Sequence, residues 1–295
     1  MSIDVAHYHG WQGPLRSPWS ASLAIVRVAL IQVFRRKAYW LVLALGLTHF
    51  LLVWAMIYAV NQAGQPPEFR QEVLQRLGFA MSRGGEAKNG YLAFMERQGV
   101  PVMILLAFSG SLLVGSDFRS GAVAFYLSRR IDRRHYIIGK LGAIGAIVSL
   151  LTTIPALLLY FEYGMFSPSL QYWIDNWRSL AAVLVYGAVL AVVLSIWLAS
   201  LSAYLQRVAP IAIAWATLFI LPKPLRTLLT RDKYDYWNLI DPWRDIHYAG
   251  RLGFGELKNG EERQFALWAA AFLAVSCAIA LAALVRRVRA VDVVE

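Results

Sequence analysis

Charge is nearly absent from six long windows of this chain, with Lys140 near the head of the third as the one exception, and those windows set its plan. They run approximately 39–60, 99–115, 138–161, 179–201, 208–221 and 265–285. A helix needs about 20 apolar residues to cross the hydrocarbon of a bilayer, so each window reads as a transmembrane helix. The fifth window is short, and residues 203–206 could extend it backward. The pattern predicts an all-α, polytopic protein with one membrane domain over residues 1–295. No stretch outside the windows exceeds about 43 residues, so no soluble domain is expected.

Residues 17–37 precede the first window and are patterned differently. Leu23, Val26, Leu30 and Phe34 recur at helical spacing, with Arg27 and Gln32 elsewhere on the wheel. Ser17 followed by Pro18 is a helix start. The reading is an amphipathic helix in the membrane interface, ending at the Arg35-Arg36-Lys37 anchor. A plain extension of the first span is the alternative. The first ~20 residues lack an apolar core of the kind a cleaved signal carries, so the first span is expected to stay in the membrane.

Two longer segments separate windows on the other side. Residues 61–98 open with Pro66-Pro67, read as helix over 68–79 and break at Gly84-Gly85. Residues 222–264 form an outer loop rich in aromatics: Tyr234, Tyr236, Trp237, Trp243 and Tyr248. Tyr172, Trp173 and Trp177 repeat this before the fourth window. Trp and Tyr at span ends set depth in the headgroup region; contact with a substrate is the other reading.

Composition agrees with the pattern. The chain is 58% hydrophobic and only 16% charged, against about 25% charged in soluble domains. Its mean hydropathy is +0.50. One cysteine, Cys277, cannot form an intrachain disulfide and reads as a small buried apolar residue.

The charges that remain fix a topology. Six spans place the N-terminus, residues 116–140, the turn at Arg207 and the C-terminus on one side. That side carries 15 Lys and Arg against 5 Asp and Glu, which is +10 of the chain's +11; the other carries 14 against 13. Lys and Arg in short loops face the cytoplasm. Both termini are therefore expected to be cytoplasmic, in a plasma (inner) membrane. Topology accounts for the basic balance, and no nucleic-acid partner is expected.

The stretch from Ser116 to Lys140, SDFRSGAVAFYLSRRIDRRHYIIGK, carries the most specific pattern. Ala122–Leu127 is apolar enough for a short helix. Ser128 to Arg134 sets Arg129, Arg130, Arg133 and Arg134 around Asp132. Such a cationic knob suits an acidic cleft on a partner, where Arg offers rigid, multiply bonded contacts. The plainer reading is that these arginines enforce topology and touch lipid headgroups.

In order and spacing, Asp117, Gly121, Leu127-Ser128, Ile131, Arg133 and Gly139-Lys140 resemble the cytoplasmic connector of type-2 ABC transporter permeases. In that family an acid is followed by Gly-Thr, then Leu-Leu-Ser-x-Pro-Ile-Ser-Arg, and Gly-Lys opens the third span. Here Asp117 stands for the usual Glu, Ala122 for Thr, Arg130 for Pro and Asp132 for Ser. The close match covers about 24 residues, and the six-span plan, the N-terminal helix and the long last outer loop agree with the family.

The resemblance implies a permease subunit, of exporter type, working as two copies or a related pair with separate cytoplasmic ATPase subunits. It implies coupling through Asp117, Gly121, Ser128, Arg129, Arg130, Arg133, Arg134, Gly139 and Lys140. No G-x-x-x-x-G-K-S/T loop is present, so ATP is expected on the partner chain and no cofactor on this one. Hydrolase and zinc motifs are also missing, and His7-x-His9 has no carboxylate or thiol beside it.

Few polar groups fall inside the windows. His49 is near the middle of the first, and Glu162 closes the third. Intramembrane ionisable groups usually face a cavity or the bundle interior, so both are candidate pathway residues; for His49 a structural role is equally open. No mid-membrane carboxylate marks an ion-coupled transporter. Stripes of small residues at Ala270, Ala274, Ala278 and Ala282, and at Gly139 and Ala143, read as packing faces. A secondary transporter or channel without an ATPase, and a membrane anchor or assembly factor, are the competing readings.

Overall fold

A chain in hydrocarbon must satisfy its backbone N–H and C=O groups internally, and a run of apolar residues does so as a helix. The computed structural model describes residues 17–62, 66, 68–69, 72–73, 90–127, 131–166, 171–230, 235–257 and 259–288. Six of its helices are long and apolar enough to cross a membrane: Lys37–Gln62, Gly90–Arg119, Arg133–Met165, Tyr172–Leu205, Val208–Leu229 and Gly260–Arg287. No strand occurs among the described residues. The protein is an all-α, multi-pass membrane protein.

Every span outruns its apolar window. The second begins nine residues early, at Gly90 rather than 99, and the fourth begins at Tyr172 rather than 179. Hydropathy marks the part that meets lipid, whereas backbone hydrogen bonding continues into the polar zone. Residues 203–205 belong to the fourth span, not the fifth. The fifth lengthens forward instead: Val208–Ile220 is followed by Pro222–Leu229. Residues 222–264 also hold a 3-10 turn at Tyr236–Ile240 and a helix at Pro242–Phe254, called here the cap helix.

The spans divide into an inner and an outer set. Half or more of the apolar window is buried in the second, third and fourth spans (61%, 50% and 50%), against 28%, 22% and 17% in the first, fifth and sixth. The outer set turns Leu41, Ile213 and Ile279 outward, each at least 66% exposed. Such faces suit lipid. The alanine stripe of the sixth span points outward too: Ala274, Ala278 and Ala282 are exposed, and the helix packs through Ala266, Ala269, Leu273 and Leu284. The Gly139/Ala143/Ile147 face of the third span is buried, as its pattern predicts.

The third span is interrupted at Thr152, where the chain supplies a reason. Thr152 Oγ1 donates back to the Val148 carbonyl at 2.8 Å, and Pro155 has no N–H for the carbonyl of Leu151. Thr153 then fills the space above Gly187 of the fourth span.

Pro18–Phe34 is a helix of its own, ended at Arg35-Arg36 and not continuous with the first span. It packs on the start of the third span. Its buried stripe is Ser22, Ile25, Ala29 and Val33, one residue away from the Leu23, Val26, Leu30 and Phe34 stripe that the pattern suggests; Leu23 is 70% exposed. Apolar residues surround this helix almost completely. Small Ser22 and Ala29 let its backbone come close, and that decides which face turns inward.

Candidate functional site

The second span does not end as a plain α-helix. Ser111–Gly115 forms a π turn, and Ser116–Arg119 completes the helix. Residues Ser120 and Gly121 turn the chain. Gly121 adopts φ +70° with open space where a Cβ would lie, so glycine is needed there for conformation rather than for room. The short helix Ala122–Leu127 follows, with Val123 buried and Phe125 exposed. Ser128, Arg129 and Arg130 lie outside the described residues. At Asp132 the backbone is extended (φ −67°, ψ 156°), and the third span starts at Arg133.

The two ends of this connector are clasped together. Lys140 Nζ lies 2.7 Å from Asp117 Oδ2. The Tyr136 hydroxyl donates to the same oxygen at 2.9 Å, and Lys140 donates to the Leu113 carbonyl inside the π turn at 2.7 Å. Side-chain exposure is only 7% for Lys140 and 13% for Asp117. An ion pair this sheltered must have its remaining bonds satisfied to repay desolvation, and Tyr136 and the Leu113 carbonyl supply them.

The expected coupling residues therefore separate by position. Asp117 is half-buried, and Gly139 and Lys140 are buried. Gly121, Arg133 and Arg134 are exposed. Gly139 serves close approach: a Cβ there would lie 3.0 Å from Ile25 and 3.1 Å from the Ser22 carbonyl of the N-terminal helix. Ser22 Oγ also donates to the His135 carbonyl at 2.9 Å, and Trp19 meets the His135 ring edge-on at 5.0 Å.

A third element reaches the same place. Between the fourth and fifth spans the chain reverses at Gln206, the only described non-glycine residue with positive φ (58°). Ser111 Oγ donates to its carbonyl at 3.0 Å, and a Cβ on Gly115 would lie 2.7 Å from that oxygen. At the end of the sixth span, Arg287 lies 5.7 Å from the Tyr204 ring. The N-terminal helix, connector, Arg207 turn and end of the last span thus share one end of the bundle, as the charge pattern requires. This is the basic end.

The two pathway candidates are not joined. His49 is half-buried and stacks on Phe94 at 5.3 Å, with no partner for Nδ1. Glu162 is 6% exposed, and neither carboxylate oxygen has a hydrogen-bond partner. No hydrogen bond or ion pair links them among the described residues.

The opposite end holds a polar cap that a reading centred on aromatics misses. Asp241 accepts from the N–H groups of Trp243 (3.2 Å) and Arg244 (3.3 Å), and Pro242 opens the cap helix. Arg226 lies 3.6 Å from Asp241. Glu96 pairs with His247, and Arg251 with Glu262. Trp243 lies over Gly99 of the second span, and Tyr248 is buried against Phe265. Both aromatics pack within the cap, while Tyr236 and Trp237 are more than half exposed. Asp245 is fully buried with no partner for either oxygen. Burial, and then the charge of Asp241, push its carboxyl up to about 8. The one sequence signal for this cap is Asp241-Pro242, an N-cap followed by proline at the first helical position.

No group of three or more His, Cys, Asp or Glu side chains able to hold a metal occurs among the described residues. No protein-family model matches the chain, and a search of curated proteins finds no match either.

Proposed function

We propose that this chain is the membrane-spanning permease subunit of an ATP-driven ABC transporter, of exporter type. It takes its drive from a separate cytoplasmic ATPase docked on the 116–140 connector. The subunit works with a second permease copy in the plasma (inner) membrane, with both termini cytoplasmic. The observation that carries this reading is the connector itself. Its residue order resembles that of the permease family, and its roots contact the N-terminal helix and the second, third and fourth spans at once. A push on the exposed Arg133–Arg134 segment would reach all of them through the Asp117–Lys140 clasp and the Gln206 turn.

The first test is affinity purification of tagged protein in nanodiscs with mass spectrometry of what accompanies it. A stoichiometric soluble ATPase is expected; a chain that purifies without one counts against the reading. With that ATPase in hand, replacing Arg129, Arg130, Arg133 and Arg134 together by Glu should abolish its stimulation while membrane insertion stays normal. Full stimulation by the variant would remove the docking role. An ATPase-independent transporter is the competing reading. The unpartnered Glu162 favours it, and Glu162→Gln would then abolish transport with no ATPase present.

A further inference from the structure

An open groove of about 570 Å³ runs between the fourth, fifth and sixth spans. Trp197, Leu201, Leu218, Ile240, Phe272 and Ala280 form its walls. Its volume falls in the range of roughly 300–1,000 Å³ that holds a small organic ligand. Almost no polar surface faces into it, which suits a hydrocarbon chain.

The mouth at the basic end is different. Tyr204 stands there, fixed by its hydroxyl donating to the Ala283 carbonyl at 3.1 Å. Arg287 lies over its ring at 5.7 Å. Arg207, three residues beyond Tyr204, is exposed on the turn that follows the groove wall. Neither Arg207 nor Arg287 has an ion-pair partner among the described residues. Arg287 on the lining residue Tyr204, and Arg207 two residues past the lining residue Leu205, are two guanidinium groups without a carboxylate, which match a phosphate with a tail, and basic pockets between spans are sites for anionic headgroups.

A second copy of this chain fits less well. Symmetric pairing through the groove would set Arg207 and Arg287 of one copy against the same residues of the other. The acids described at that end are Asp117, already bonded to Lys140, and Asp132, on the connector. Like charges would face each other with nothing between them.

We propose that this groove binds one anionic phospholipid, with an acyl chain between the fourth, fifth and sixth spans and the phosphate held by Arg207 and Arg287. The lipid fastens the sixth span, whose apolar window is only 17% buried by the chain itself, to the rest of the bundle. The site requires a bilayer around the six spans and no particular transport mechanism.

The test is native mass spectrometry of the delipidated full chain, titrated with dioleoylphosphatidylglycerol or dioleoylphosphatidylcholine. One phosphatidylglycerol should be retained at roughly tenfold lower lipid concentration than phosphatidylcholine. Replacing Arg207 and Arg287 by Gln should erase that preference with the groove intact, and Ala214→Trp should fill the slot and lower retention of both lipids. Equal retention of the two lipids by the unaltered protein overturns the proposal. So does an undiminished preference in the double Gln variant. Disulfide crosslinking of two chains through Ala280→Cys, in a Cys277→Ser background, would assign the groove to a second copy instead.

Discussion

Asp117 and Asp245 are both sheltered carboxylates near opposite ends of one helix bundle, and they are treated in opposite ways. Asp117 receives an ammonium and a phenol hydroxyl. Asp245 receives nothing, and burial raises it to about 8, so it carries a proton at neutral pH. A buried acid can be stabilised by a partner or relieved by a proton. The first solution joins two chain segments, and the second holds none.

The sharpest way to break this contrast is to strip Asp117 of its partner. Lys140→Met leaves a buried charge uncompensated and should cost about 3–5 kcal/mol. Adding Asp117→Asn should recover most of that loss, because the pair then disappears together. Thermal unfolding in nanodiscs reads both; a single variant no less stable than the double one would mean the pair is not a clasp.

The next effect concerns pH at the other end. The folded-state pKa of Asp245 lies above its unfolded value, so its contribution to stability is complete below about pH 4 and is lost as pH rises through about 8. Between pH 6 and 8 the protein should lose about 2 kcal/mol from this group. Asp245→Asn should flatten that part of the stability curve. An unchanged slope in the variant would place the titration elsewhere.

The smallest effect refines the clasp. Tyr136→Phe removes one hydrogen bond to a charged oxygen and should cost about 1.5 kcal/mol. A double-mutant cycle with Asp117→Asn should show coupling of that size. Additive losses would leave Tyr136 as packing alone.

The six spans were legible because a charged residue in hydrocarbon is costly enough to be nearly excluded from whole windows, Lys140 at the head of the third being paired with Asp117. Their ends were not, since a helix continues on hydrogen bonds after the apolar residues stop. Asp117 and Lys140 stand out in the connector pattern, yet nothing in their spacing says that they touch; the π turn at Ser111–Gly115 has no sequence mark at all. The alanine stripe of the sixth span looks like an interface but faces away from the chain, because small residues permit close packing without saying which neighbour supplies it. Asp245 reads as one more acid in a polar segment. Its isolation comes from the packing of the cap helix against the fourth and sixth spans, a purely tertiary fact.

The π turn has a further geometrical meaning. It holds one residue more than an α turn in the same axial rise, so the helix beyond it is out of phase with the helix before it by about 100°. Gly99–Gly110 follows one azimuth and Ser116–Arg119 another. Asp117 points at Lys140 because of that extra residue. A straight α-helix of the same composition would aim its carboxylate about a quarter-turn away, and the second and third spans would have no clasp between them.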